Sequence, residues 1–227
     1  LVNMQSIVDK LTGVGVDGIV VHKGIAKNID TRSLGLIVHL SASTKMGPDP
    51  LYKVEVCSLE EAIRIGADGV SVHINVGARE EPTMLSKLGK IVDECDEWGI
   101  PLLAMMYPRG PAVPSEYDPE SVAHAARLAA ELGADIVKTN YTGSVETFRR
   151  VAESCPVPII IAGGPKMKTS KDVLQMVYDS LKAGGLGISI GRNVFQHEDP
   201  SRMARALSAI VHGGSNVEDA SNILRGI

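Results

Sequence analysis

The sequence predicts an α/β protein folded as a (β/α)8 barrel, and three observations carry that expectation. One pattern recurs along the 227 residues: a helix-like segment ends in glycine, a short turn follows, and a β-branched apolar run begins. It appears as GVDGIVVHKG (15–24), GADGVSVHIN (66–75), GADIVKTNY (133–141) and GGLGISIGRN (184–193). The apolar runs are nearly continuous rather than alternating, as expected of parallel strands covered on both faces. Helical stretches separate most of the runs, which is the signature of βαβ units.

Taken in order, the chain opens on a helix-like stretch, NMQSIVDKL (3–11), already in progress at its start. A segment ahead of Leu1 is therefore expected. The strand candidates are GIVVHKG (18–24), LGLIVHLS (34–41), YKVEVCS (52–58), GVSVHIN (69–75), IPLLAMMYP (100–108), ADIVKTNY (134–141), VPIIIAGG (157–164) and GISIGRN (187–193). Eight runs favour a closed barrel over an open doubly wound sheet. SLEEAIRIG (58–66) starts on a serine with acids in its first turn. DPESVAHAARLAAELG (118–133) has Pro119 in its first turn and Gly133 after its end. SVETFRRVAES (144–154), SKDVLQMVYDSLKAGG (170–185) and SRMARALSAIVHGG (201–214) complete the helices. No linker or low-complexity segment interrupts the series, so a single barrel domain over 1–227 is expected.

Bulk properties narrow the function classes. Hydrophobic residues make up 44% of the chain, enough for a sizeable core. The formal charge is −4, with no basic stripe of the kind a nucleic-acid surface needs. No apolar run approaches the length of a membrane span. Cys57, Cys95 and Cys155 are odd in number and widely spaced, so neither a disulfide framework nor a zinc motif is expected and a cytoplasmic setting fits.

In a parallel barrel the chemistry gathers at the C-terminal ends of the strands. Lys138 interrupts the apolar run ADIVKTN, and alternation puts Ile136, Lys138 and Asn140 on one side. A partly desolvated amine there is a nucleophile able to form an imine with a ketone or aldehyde. A lysine paired with a barrel carboxylate fits the same spacing. Tyr107 ends its strand because Pro108 stops the pairing, and it reads either as a proton donor or as a core-capping aromatic. Arg109 is a candidate for an anionic group or a loop residue. Gly163 and Gly164 directly follow one strand-like run, and Gly191 and Arg192 follow the next. Loops at the last two strands of a barrel commonly bind phosphate through backbone N–H groups. His22, His39 and His73 lie on separate strands without a carboxylate or cysteine at ligand spacing, which favours hydrogen-bonded structural roles over a metal site. Lys23, next to His22, is a rival imine former.

The ordered set LAMMYPRG, ADIVKTNYTG, IAGGPKMKT and ISIGRNVFQ resembles the archaeal-type class I aldolase family, and the resemblance runs from about GIVVHKG to the C-terminus. The resemblance implies a TIM barrel, a lysine Schiff base, and neither metal nor cofactor. It makes Lys138 the imine former and Tyr107 the proton donor. Pro108, Arg109, Thr139 and Asn140 would stand at the substrate, and Gly163, Gly164, Gly191 and Arg192 at the sugar phosphate. The family opens with a strand ending in Asp-His-Gly, and nothing ahead of GIVVHKG matches it. A first strand is accordingly expected to lie before Leu1, with YKVEVCS as an accessory strand. KTNYTG, AMMYPRG and the tail AIVHGGSNVEDA look more like the family's heptulosonate synthase branch than its glycolytic aldolase branch. That branch implies transfer of a three-carbon unit from a 6-deoxy-5-ketofructose phosphate to aspartate semialdehyde, early in aromatic amino acid biosynthesis. The implied partners are small molecules only, a sugar phosphate and an aldehyde, together with further copies of the chain in a ring-based homo-oligomer such as a decamer.

Overall fold

The computed structural model describes residues 3–227. Its strands are β1 (Gly18–His22), β2 (Gly35–His39), β3 (Ser41–Ala42), β4 (Val54–Glu55), β5 (Gly69–Val76), β6 (Leu102–Pro108), β7 (Ile136–Thr139), β8 (Ile159–Ala162) and β9 (Gly187–Ser189). Its helices are α1 (Met4–Leu11), α2 (Lys23–Ala26), α3 (Leu59–Ile65), α4 (Glu81–Trp98), α5 (Pro119–Glu131), α6 (Val145–Ser154), α7 (Ser170–Lys182), α8 (Arg192–Phe195), α9 (Pro200–Val211) and α10 (Val217–Arg225).

Seven strands form one parallel sheet in the order β1-β2-β5-β6-β7-β8-β9. The sheet curls, because both outer strands, β1 and β9, line one cavity together with the inner face of β6 and β7. Among the described residues the sheet therefore has seven strands, and of the eight strand-like runs YKVEVCS is the accessory one, as the resemblance implies. YKVEVCS contributes only Val54 and Glu55, which pair antiparallel with Ser41 and Ala42 in a small separate hairpin. The glycine loops therefore follow the sixth and seventh strands of the sheet rather than the seventh and eighth.

The two faces of the sheet are packed differently. The outer face presents Val38, Val70, Val72, Ala104, Met106, Val137 and Ile161 to the helices, and this layer forms the large core. Each such Val, Met or Ile side chain withdrawn from water contributes about 1.5–3 kcal/mol before entropy is counted. The inner face carries a smaller cluster, Leu103, Met105 and Tyr107, with Val20, Ile136, Ile160 and Ala162 against it.

Local chemistry sets the element ends. Ser58, Asp118, Ser144, Thr169, Asp199 and Asn216 each accept a backbone N–H at the start of a helix, and Thr169 with Asp172 forms a full capping box. The recurrent aspartate of the glycine pattern also has a physical role. Asp68, ahead of β5, accepts Leu36 N–H of β2 at 2.7 Å, and Asp135, ahead of β7, accepts Leu102 N–H of β6 at 2.7 Å. Each thus ties its strand to the preceding neighbour. Asp17, at the same position ahead of the outer strand β1, meets His212 just after α9 instead, at 3.1 Å. The longest helix, α4, is not among the helices expected from sequence. Its first turn follows Glu80, which makes no capping bond, so the usual start signal is missing.

Candidate active site

Lys138 sits in the middle of β7, in register with Met105 of β6 and Ile160 of β8. Its side chain faces inward onto a cavity of about 570 Å³, shared with Leu103, Met105, Ile160, His22 and His39. Burial alone lowers its ammonium from 10.5 to about 8. Among the described residues no carboxylate lies within ion-pair distance of its Nζ. The ion-paired structural lysine that the spacing also allowed is therefore not what the fold builds. Lys23, the rival, is exposed in the first turn of α2.

Tyr107 shares the inner face with Met105 and is 6% exposed. The His73 ring lies 4.9 Å from its ring centroid, and the Arg109 guanidinium 4.5 Å from it. Burial pushes the phenol up to about 12, with Arg109 pulling the other way and Glu116 adding to the rise. At neutral pH it is a proton donor and not a base.

Arg109 is fixed by two features. Its Nε and Nη2 both reach one carboxylate oxygen of Glu116 at 2.6 Å. The next residue, Gly110, runs so close to the loop after β5 that a Cβ there would stand 1.6 Å from the Gly77 carbonyl oxygen. Asn140 is buried and donates to the Glu116 carbonyl at 2.9 Å, so Glu116 joins the ends of β6 and β7. Pro108 closes β6 opposite Val76. Thr139, expected at the substrate, turns the other way. It is fully buried in the helix-facing layer and donates to Met106 C=O at 2.8 Å, because alternation opposes it to Lys138.

The two glycine loops meet above β8 and β9. Gly163 has no room for a side chain, since a Cβ would come 2.6 Å from Ile190, and Gly164 takes a left-handed φ of 62°. Gly191 precedes the single turn of α8. Arg192 donates to Gly164 C=O at 2.8 Å, and Asn193 donates to Gly163 C=O at 2.8 Å and Pro165 C=O at 3.1 Å while accepting Met167 N–H. The loop shape is thus set from the β9 side. Tyr107, Arg109, Asn140, both glycine loops and Arg192 stand at or beyond the C-terminal ends of the strands, while Lys138 lies two residues below the level of Tyr107 on the inner face and lines the cavity with Gly191.

Three residues at this end were not named from the sequence. Glu116 lies in the aperiodic stretch GPAVPSEYDPE, whose path no spacing rule gives. Asn193 follows Arg192 directly, and only its bonds reveal its task. Lys53 arrives on the β3–β4 hairpin, where its Nζ donates to Ser43 Oγ and to Pro50 C=O; burial and nearby Arg109 lower its ammonium. Among the described residues no three His, Cys, Asp or Glu side chains are arranged to hold a metal ion.

The DeoC/LacD family aldolase model matches residues 1–197. The chain belongs to the DeoC/LacD aldolase family. It is 46% identical over 213 residues to the 2-amino-4,5-dihydroxy-6-oxo-7-(phosphonooxy)heptanoate synthase of Streptomyces griseus, covering 92% of this chain and 77% of that one. To the 2-amino-3,7-dideoxy-D-threo-hept-6-ulosonate synthase of Halobacterium salinarum it is 43% identical over 222 residues, covering 97% and 83%. An archaeal fructose-1,6-bisphosphate aldolase, solved with its catalytic lysine covalently bound to the carbinolamine intermediate, superposes with a TM-score of 0.89 at 38% identity, covering 92% of this chain and 84% of that one. As an aldolase-family chain, this protein has the TIM-barrel type of fold, represented among the described residues by the curled seven-stranded sheet.

Proposed function

We propose that this chain is a Schiff-base aldolase of the transaldolase type that makes a seven-carbon amino acid, as the heptulosonate synthases do. The observation that carries the reading is the unpaired, desolvated Lys138 on the inner face of the sheet. The names of the Streptomyces and Halobacterium relatives share a seven-carbon acid with a 2-amino group and a 6-keto group. Disconnection between C4 and C5 leaves a three-carbon ketone donor and a four-carbon amino-acid aldehyde. The donor ketone is the carbon at which a lysine imine would form.

In this reading the neutral Lys138 amine adds to the donor ketone of a sugar phosphate, giving a carbinolamine, and water leaves to give an iminium. The β-hydroxyl gives up its proton as the Cα–Cβ bond breaks, so that one part leaves as an aldehyde and the iminium takes up the electron pair as an enamine; the enamine carbon then attacks the acceptor aldehyde, whose oxygen takes up a proton, and water hydrolyses the product iminium to free Lys138. Tyr107 supplies or recovers the proton at the reacting oxygen. The Gly163–Gly164 and Gly191 loops, with Arg192, hold the phosphate, and that remote binding places the reacting carbon. Asn140, Pro108 and Arg109 line the approach, and Thr139 supports the strand.

Borohydride trapping with a sugar phosphate, followed by peptide mapping, tests the proposal. A reduced adduct on Lys138 is expected, and Lys138→Ala should abolish it; an adduct on Lys23 would refute the assignment. A second reading, a class I fructose-bisphosphate aldolase, is favoured by the structural likeness at 38% identity. Side-by-side assays with fructose 1,6-bisphosphate alone and with a ketose phosphate plus aspartate semialdehyde separate the two. A phosphate-binding barrel without catalysis would give no adduct and an ordinary Lys138 titration.

A further inference from the structure

We propose that His73 is a positioning residue for Tyr107: a neutral imidazole, fixed as its Nε2–H tautomer by Asn75 and through Asn75 by the β3–β4 hairpin, sets the ring against which the phenol packs. The proposal rests on Tyr107 acting as the proton donor in the function proposed above.

The tautomer follows from donor and acceptor matching. The Asn75 side chain is fully buried, and its Nδ2 donates to Leu51 C=O at 2.6 Å. An amide has one donor end and one acceptor end, so the end left to face His73 is Oδ1. That oxygen lies 2.9 Å from His73 Nε2 and can only accept, so Nε2 carries the hydrogen. The His73 backbone N–H is held as well, donating to Ser41 Oγ at 2.9 Å. Leu51 and Ser41 both belong to the hairpin excursion between β2 and β5. The hairpin thus grips His73 at backbone and ring, and the ring lies 4.9 Å from Tyr107 at a tilt of 58°.

The surroundings keep this imidazole uncharged. Burial is the largest influence, and Lys53 from the hairpin, Arg109 after β6 and His39 of β2 all oppose a positive charge. Only the bond to Asn75 favours one, and the balance lies at about 3. His73 therefore keeps one tautomer across the working range, and Tyr107 meets an unchanging neighbour throughout turnover. The imidazole touches no reacting atom in this scheme; it acts through Tyr107.

Imidazole ¹⁵N NMR on the full chain, with His73 assigned by substitution, tests the state directly. A neutral Nε2–H ring from pH 8 to pH 5 is expected. An imidazolium at pH 6, or an Nδ1–H ring, would overturn the proposal. Kinetics test the role. His73→Phe keeps a ring and removes the Nε2 donor; kcat should fall on the order of tenfold, with KM for the sugar phosphate and borohydride trapping on Lys138 nearly unchanged. An unchanged kcat refutes the positioning role. Asn75→Asp puts a carboxylate beside Nε2, so the kcat profile should gain an ionisation on its acidic side, and a profile identical to the parent's also refutes it. If the parent chain gives no Lys138 adduct, the functional reading fails, whereas the NMR result still decides the tautomer.

Discussion

Met105→Glu should return the Lys138 ammonium to its ordinary range, and the effect on imine formation can be worked out from the structure. Met105 is the register partner of Lys138 and lines the same cavity, so a carboxylate there lies within reach of Nζ. With the amine at about 8, about one molecule in ten carries a neutral Lys138 at pH 7. At the ordinary 10.5 the fraction is about one in three thousand, a loss of about 300-fold in reactive amine. The assay is the rate of borohydride trapping with a sugar phosphate as a function of pH. The parent should show a midpoint near 8, and Met105→Glu should be slower at pH 7 by about two orders of magnitude and recover by pH 10. Met105→Gln, similar in size and uncharged, should stay within a few-fold of the parent. A midpoint that remains near 8 in Met105→Glu, or one above 10 in the parent, refutes burial as the source of the reactive amine.

The same shift has a stability consequence of fixed sign. The folded pKa lies below the unfolded one, so between about 8 and 10.5 the unfolded chain holds a proton that the folded chain has lost. Stability therefore rises with pH across that window, and below it the folded state carries the full cost of a buried ammonium. The drop from 10.5 to about 8 corresponds to roughly 3 kcal/mol, so Lys138→Met should stabilise the fold at pH 7 by up to about that amount. The gain should fade towards pH 10.5. Urea unfolding at pH 7 and pH 10 measures it, and a gain independent of pH would contradict the assignment.

Further outcomes follow from the rest of the site. Tyr107→Phe should leave trapping on Lys138 intact while turnover falls by about 10²- to 10⁴-fold, the usual range for loss of a positioned acid. Asn193→Ala removes two bonds to the Gly163 and Pro165 carbonyls; thermal unfolding should show a loss of about 1–3 kcal/mol, and KM for the sugar phosphate should rise as the loop loses its shape. Gly110→Ala drives a methyl into the Gly77 carbonyl, so the loops after β5 and β6 must separate; poor folding, or a soluble chain with raised KM, is expected.

How far the sequence reached can be judged from particular residues. The runs GIVVHKG, GVSVHIN and ADIVKTNY are legible because parallel strands buried on both faces need continuous β-branched apolar residues. Lys138 stood out for the same reason, as a charge inside such a run. In YKVEVCS, Lys53 and Glu55 alternate with apolar residues, and the run stands outside the sheet as the accessory strand that the resemblance implies; its pairing with Ser41 and Ala42 is a tertiary matter. The resemblance implies Thr139 at the substrate, but alternation turns it to the helix layer. Glu116 was invisible because a loop rich in proline and glycine has no period from which to infer its path. The bond from Asn75 to Leu51 joins residues 24 positions apart, and no local pattern encodes it.

The register of the sheet supports one division of labour within the site. Met105, Lys138 and Ile160 form one rung across β6, β7 and β8. Tyr107 is two residues beyond Met105 on the same face, which places its backbone about 6.6 Å farther toward the C-terminal end. Gly163 is three residues beyond Ile160, about 10 Å along the same axis. Under the proposed function, a lysine side chain extended in that direction would bring its amine to a substrate with its phosphate at the loop and its reacting oxygen at the phenol. Moving the lysine one position along β7 would point it into the helix layer where Thr139 now donates to Met106. A double replacement that exchanges the residues at 138 and 139 therefore keeps composition and charge while removing the amine from the cavity. It should abolish trapping and destabilise the fold by burying an ammonium among Met106, Val137 and their neighbours. Persistent trapping in that variant would show that the facing of β7 does not decide which lysine reacts.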